Sequence, residues 1–170
     1  MGLGITGYKI ALVSLIDKDR QWFKAKIGLE VDQTPREFAF CAHALAADDI
    51  LIVPDATRDD RFSSNPLVTG APNIRFYAGV PIRAEMRNTS SRRLPLGTLC
   101  VIDDKPRDVD PGDMKLLVEL AHSVETLIAA RSSATYAWPD AGQYAGAAGY
   151  SDAARCGAAS GLNYMLGIFP

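Results

Sequence analysis

The amino-acid sequence predicts an α/β domain of the α+β kind, a central antiparallel sheet of five to six strands with helices packed on it. Three observations carry the prediction. Ile74–Asp103 holds two strand-like segments, IRFYAGVPI and LGTLCVID, joined by a polar connection, which reads as a long-looped antiparallel hairpin. Ile10–Ile16 is an apolar run broken only by Ser14, and after a short polar turn Gln21–Ile27 alternates with period two. Two proline-led segments, Thr34-Pro35-Arg36-Glu37 and Asp110-Pro111-Gly112-Asp113, carry helix-start chemistry.

In chain order, Ile10–Ile16 is expected as a strand buried on both faces. Asp17–Arg20 turns the chain. Gln21–Ile27 then places Phe23, Ala25 and Ile27 on one face and Trp22, Lys24 and Lys26 on the other, a half-exposed partner. Thr34 is expected to cap a helix running to about Ala46, with Pro35 at its first position and Glu37 closing a capping box. Phe38, Cys41, Ala42 and Leu45 form its apolar stripe. Ile50–Val53 is a short strand stopped by Pro54.

Asp55–Asn73 is a long polar connection, with Phe62, Leu67 and Val68 able to tuck it against the body. In the hairpin, Ile74, Phe76, Ala78, Val80 and Ile82 share one face, and Arg75, Tyr77, Gly79, Pro81 and Arg83 the other. Pro81 cannot donate to a ladder, so the strand is interrupted or lies toward an edge there. Gly97–Asp103 reads as the more central strand. The Ala84–Leu96 connection, with Arg87, Arg92 and Arg93, is expected to be mobile. In the last helix Asp110 caps, Pro111 takes the first position, and Met114, Leu117, Ala121, Val124 and Ile128 recur at spacings of three and four.

Composition bounds the function. A chain of 170 residues with 48% hydrophobic and 22% charged residues suits one globular core. A net charge of -2 supplies no basic field for nucleic acid, and the arginine-bearing loop is too narrow a patch to replace one. Three scattered cysteines argue against a disulfide scaffold and fit a reducing compartment. No apolar run reaches spanning length and no signal peptide is legible, so a cytoplasmic location without membrane contact is expected. Residues 133–170 hold ten alanines, six glycines and no lysine, the composition of a linker or disordered tail, ending in the apolar patch Leu162–Phe169.

With these elements in order, the chain from about Ile10 to Arg131 resembles a GAF domain, like those near the start of bacterial sensor kinases and diguanylate cyclases. IALVSLIDKDRQWFKAKIGL, TPREFAFCAHAL, VPDATRDDRFSSNPLV, IRFYAGVPI and LGTLCVIDDKPR carry the resemblance. It implies a PAS/profilin-like architecture with helices on one sheet face and a ligand cavity on the other. It also implies small-molecule binding or a dimerising relay rather than chemistry. The division expected is a lead at 1–7, the domain at 8–131 without the family's usual first helix, and the tail at 132–170. No output segment is legible after Arg131, so two expectations stand: a free-standing module with an output domain on a separate chain, or an incomplete gene product. With the first helix missing, one helix about 10 Å wide leaves part of a five-stranded sheet face open. A homodimer docking through the Met114/Leu117/Val124/Ile128 stripe of Pro111–Arg131 is the expected cover.

The candidate ligand cavity lies between the sheet and Asp55–Asn73. Arg75 beside Tyr77, with Asp55 and Asn65 in the preceding loop, is a fair site for an anionic or planar ligand. The candidate ligand-binding set is His43, Asp55, Phe62, Asn65, Arg75, Tyr77 and Cys100; Arg61 is assigned to bracing the loop. No catalytic residue, metal or cofactor is expected. Cys41 and His43 stand two apart on a helix, roughly 200° around its axis, and cannot share a metal or form a dyad. Cys41 and Cys100 read as core residues, isolated from each other in sequence, without the clustered cysteines of the GAF subgroup that reduces free methionine sulfoxide. His122 with Thr126 resembles a phosphoacceptor box, but Leu127 stands where proline is expected, so a solvated helix histidine is the reading. The cyclic-nucleotide signature and the phytochrome chromophore cysteine have no match. Three classes stay open: a non-enzymatic small-molecule sensor, which is favoured, a thiol-dependent reductase of free methionine sulfoxide, and a dimerising relay.

Overall fold

A buried strand must pair its backbone on both sides, and the most apolar segments take the middle of the sheet. The structure, a computed structural model, describes residues 7–47, 49–85 and 93–135. The strands are β1 (Ile10–Ile16), β2 (Arg20–Ile27), β3 (Gln33–Pro35), β4 (Leu51–Val53), β5 (Phe76–Glu85) and β6 (Arg93–Asp103). They form one antiparallel sheet in the order β3-β2-β1-β6-β5-β4. β6 sits centrally, as its sequence predicts, pairing Val101 with both Ala11 and Ala78. Pro81 costs no ladder bond on its outer side, because the β4 pairing stops at Leu51 opposite Gly79.

Three layers result. Helix α3 (Pro111–Thr135) covers one face of the sheet, and α1 (Phe40–Ala46) with the Asp55–Asn73 segment covers the other. Asp110 caps α3 as expected, its Oδ1 accepting from the Gly112 and Asp113 backbone N–H at 2.7 and 3.1 Å. Met114, Leu117 and Ala121 are buried on Phe76, Ala78 and Val80, with Val124 and Ile128 partly buried on the same cluster. Tyr8 stacks on Phe76 at 5.3 Å and donates to Asp113, joining the start of β1 to the start of α3.

Several expectations are corrected. The helix expected from Thr34 begins at Phe40: Thr34 and Pro35 are drawn into β3 by pairing with Gln21 and Arg20, and Arg36–Phe38 is a 3₁₀ turn with no side-chain cap. Ladder bonds to a neighbouring strand displace the capping box. The buried face of α1 is Phe40, Cys41 and Ala44 rather than Phe38, Cys41, Ala42 and Leu45. Ala25 and Ile27 are exposed, because α1 packs over β6, β5 and β1 and the far half of β2 runs out from under it. Ile74 precedes β5 and packs with Tyr77 instead of Phe76.

The hairpin is longer than expected, and Ala84–Glu85 and Arg93–Leu96 belong to its strands. Arg87, Arg92, Cys156 and the Leu162–Phe169 patch lie outside the described residues. The α3 stripe assigned to a second subunit is occupied by the chain's own sheet. Within it Glu125 is buried, accepting the Arg83 backbone N–H at 2.7 Å and pairing with Arg93 at 2.5 Å, so α3 is tied to both arms of the β5–β6 hairpin. Among the described residues no helix is long and apolar enough to cross a membrane.

The β1–β6 contact leaves no room at Gly97, where an added Cβ would stand 1.8 Å from the Ser14 carbonyl oxygen and 2.8 Å from Leu15 Cα. Both obstacles are backbone, so the strands themselves must part. Gly97→Ala is expected to destabilise the fold by about 3 kcal/mol or more in denaturant unfolding, at the upper end of overpacking costs. Gly112→Ala, whose nearest neighbour is a side-chain oxygen at 3.0 Å, is the control with a small effect.

Candidate functional site

The face opposite α3 carries the polar features that the core does not require. An open groove of about 480 Å³ runs between the β1–β2 turn, the 3₁₀ turn and α1. Lys18, Asp19, Arg36, Glu37 and His43 line it, with Ala39 and Ala42 at its apolar side. Its volume lies within the range of small-molecule sites, about 300–1,000 Å³. Arg36 fixes the wall by donating to the Asp17 and Lys18 carbonyls at 3.2 and 3.4 Å. His43 is exposed while Cys41 is 1% exposed, as a two-residue step on a helix demands. The His43 ring stands edge-on to Phe62 at 4.9 Å. Charges of both signs around an apolar wall fit a small polar or zwitterionic molecule.

The space reserved on sequence grounds for a ligand, beneath Asp55–Asn73, is packed instead. Phe62 is fully buried and stacks on Phe40 at 4.1 Å, and Phe40 in turn meets Tyr77 at 5.3 Å. Val68, Ile74, Ala56 and Val53 complete this cluster. Burying Phe62 alone is worth about 2–3 kcal/mol. Asp55 is half-buried and accepts from the Thr57 N–H at 3.0 Å, starting the Ala56–Arg58 turn. Asn65 caps α2 (Pro66–Thr69) through the Leu67 N–H at 2.9 Å and donates to the Phe38 carbonyl at 3.1 Å. Arg75 donates to the Val68 and Ile74 carbonyls at 2.9 and 3.0 Å. Arg61 pairs with Asp59 at 2.6 Å and lies over Phe62, the bracing role expected of it. Of the seven candidates, only His43 reaches the groove.

Beneath α1 the structure assembles what the sequence scatters. Cys41 Sγ lies 3.7 Å from Cys100 Sγ, and both are buried. The Gln21 side-chain amide donates to Cys41 Sγ at 3.2 Å and the Tyr77 hydroxyl at 3.3 Å. Ser14 and Thr98, both fully buried, share a hydrogen bond of 2.9 Å beside them. The Tyr77 hydroxyl occupies space left by Gly79, where a Cβ would come within 2.2 Å of it. Burial opposes charge on Cys41, but hydrogen bonds from Cys100, Ser14, Thr98 and Tyr77 outweigh it and draw its pKa to about 6. Cys100, whose hydrogen bond to Cys41 keeps its proton in place, is held well above the ordinary thiol range, with burial adding to the shift. Burial, followed by the Cys41 charge, pushes the Tyr77 phenol up.

Sequence reasoning missed Gln21 and the meeting of the two thiols. The only available hint was a polar residue at a strand position whose neighbour two along, Phe23, points into the core. Among the described residues no group of three or more metal-ligating side chains comes together.

The family model of the GAF domain matches residues 3–128. A cyclic di-GMP phosphodiesterase of Pseudomonas aeruginosa is 43% identical over 136 residues, which cover 79% of this chain and 22% of that protein. The chain therefore spans about a fifth of that relative's length. Among solved structures, the GAF domain of an Acinetobacter phosphoenolpyruvate-protein phosphotransferase superposes with a TM-score of 0.59 at 19% identity, covering 78% of each chain. A type II free methionine-R-sulfoxide reductase from Thermoplasma acidophilum superposes with a TM-score of 0.53 at 16% identity, covering 71% of this chain and 78% of that one. At these identities the two structures establish the fold alone.

The thiol pair has a measurable consequence. A folded pKa of about 6 for Cys41 against an ordinary value of 9.0 means the unfolded chain binds more protons between them. Stability from this group is therefore complete above about 9 and is lost as pH falls through about 6. Ultraviolet titration of the native chain should show one thiolate appearing near pH 6, absent in Cys41→Ser. A lowest thiol midpoint in the ordinary range would mean that burial prevails.

Proposed function

This chain belongs to the GAF domain family, and we propose that it is the non-enzymatic small-molecule sensing module of a signalling protein, with its ligand in the groove beside α1. The groove itself carries the reading: it is open, of metabolite size, and lined by Lys18, Asp19, Arg36, Glu37 and His43. Among the described residues no serine, threonine or cysteine lines it that could serve as a nucleophile. Phe62, Tyr77 and Cys100 act from below, Phe62 by holding the His43 ring and the other two by seating α1. Asp55, Asn65 and Arg75 hold the segment that supports Phe62. In this reading the module passes its signal to an output domain, on a separate chain or on the same one, and the chain spans 22% of a relative named as a cyclic di-GMP phosphodiesterase.

The test is a thermal-shift screen with amino acids, nucleotides and cyclic dinucleotides, since a molecule that binds only the native state raises its stability. A ligand at about 100 times its Kd is expected to add about 2.7 kcal/mol. Lys18→Ala and His43→Ala should weaken the response without lowering the unliganded melting temperature much, because both side chains are exposed. If no compound in the panel shifts the transition, the relay reading takes its place. The close approach of Cys41 and Cys100 favours the reductase as a second reading. Turnover of free methionine sulfoxide that is lost in Cys41→Ser would displace the sensing reading.

A homodimer through α3 belongs to the same proposal, moved to the outer side of the helix, where Leu116 is 37% and Leu127 70% exposed. Light scattering should give a dimer for the full chain and a monomer for Leu127→Glu. A soluble monomer in both cases removes the dimer from the proposal.

A further inference from the structure

We propose that Cys41 and Cys100 are a reversible dithiol–disulfide pair, oxidised by hydroperoxides, which in its oxidised form ties α1 covalently to the central strand β6. The inference goes beyond ligand sensing and holds whether or not a ligand is found. It starts from a distance: two sulfurs 59 positions apart in the chain lie 3.7 Å apart in the fold. A disulfide has S–S of about 2.05 Å, so a small adjustment of α1 or of one side chain closes the pair. The partners are unequal. Gln21 and Tyr77 both donate to the Cys41 sulfur, an arrangement of little value to a neutral thiol, a weak acceptor, and of much greater value to a thiolate. A core that needed only volume here would not place two donors on that atom, because buried polar groups are costly unless paired.

The chemistry follows from this asymmetry. The Cys41 thiolate attacks one oxygen of hydrogen peroxide; an S–O bond forms, the O–O bond breaks, and hydroxide leaves. Sulfur is oxidised by two electrons and the peroxide reduced by two. Cys100 then attacks the sulfenic sulfur; the S–S bond forms and the S–O bond breaks. The sulfenic oxygen leaves as hydroxide, which takes up the proton lost by Cys100 to give water. With the proton already released from Cys41 returning to the first hydroxide, two thiols and one peroxide give one disulfide and two waters. Two equivalents of an external thiol, or one dithiol, return the pair to two thiols, the first forming a mixed disulfide and the second displacing it, and leave as their own disulfide.

The local structure supplies an entry. Ala39 and Ala42, on either side of Cys41 in the chain, line the open groove. α1 has seven residues and no side-chain hydrogen bond at its N-cap. It is held by one packed face and by the Gln21 and Tyr77 hydrogen bonds to Cys41, so a local opening that admits a molecule as small as peroxide costs less than global unfolding. Oxidation removes that freedom by fixing α1 to β6.

Full-length protein would be treated with hydrogen peroxide, quenched, unfolded and alkylated, and its peptides mapped by mass spectrometry. The three thiols of the reduced chain should fall to one. The Cys41 and Cys100 peptides should be joined, with two hydrogens lost, and dithiothreitol should restore all three. In Cys100→Ser a sulfenic acid should be trapped by dimedone on Cys41; in Cys41→Ser none should form on Cys100. Three alkylatable thiols after peroxide, oxidation confined to Cys156, or Cys41 ending as an irreversible sulfinic acid would each overturn the proposal. The mapping of the unsubstituted chain decides it even if a serine variant does not fold.

Discussion

The strand β6 is the constraint on which the molecule depends. It pairs with β1 from Gly97 to Ile102 and with β5 from Arg93 to Asp103. Its side chains supply both faces, Cys100 and Ile102 toward α1 and Leu99 and Val101 toward α3. A strand in that position leaves no backbone group for water and no face for charge. Gly97 shows how tight the pairing is, because β1 approaches so closely that only a hydrogen fits. Every other element is placed relative to this ladder.

The two faces of the ladder are used differently. Toward α3 the contacts are apolar, and the buried carboxylate of Glu125 fastens the helix to the hairpin through the Arg83 backbone and Arg93. Arg93 is itself exposed, but removing it would take the charge partner from the buried Glu125 carboxylate, so helix and hairpin are mechanically coupled. Toward α1 the core contains Ser14, Gln21, Tyr77, Thr98 and two thiols. Polar groups at that depth specify one arrangement only when satisfied, and here they satisfy each other around Cys41. The same short helix shows His43 to the groove and Cys41 to the sheet. A change on either side of α1 is therefore felt on the other.

The sequence by itself determined the elements whose pattern is local. The apolar run of β1, the hairpin with its central second strand, and the Asp110-Pro111 start of α3 all follow from side-chain period and capping chemistry within a few residues. The segments that hold those elements resemble the GAF family, whose model matches residues 3–128. Where local signals met a competing partner they failed. Thr34-Pro35-Arg36-Glu37 has every feature of a helix start, yet β2 offered ladder bonds and took Thr34 and Pro35. The α3 stripe was legible as a stripe, but whether it met its own sheet or a second chain depends on what lies opposite.

The candidate site was the least legible part, and for one reason. A hydrogen bond or a sulfur–sulfur approach is set by three-dimensional proximity, which neither composition nor period encodes. Phe62, Asn65, Arg75 and Tyr77 have the chemistry of ligand contacts, but the fold spends them on packing, on a cap and on carbonyl and thiol hydrogen bonds. Cys41 and Cys100 looked isolated because 59 positions separate them. Folding α1 onto β6 made them neighbours, and that contact, with the groove on the other side of the same helix, was decided by the tertiary structure alone.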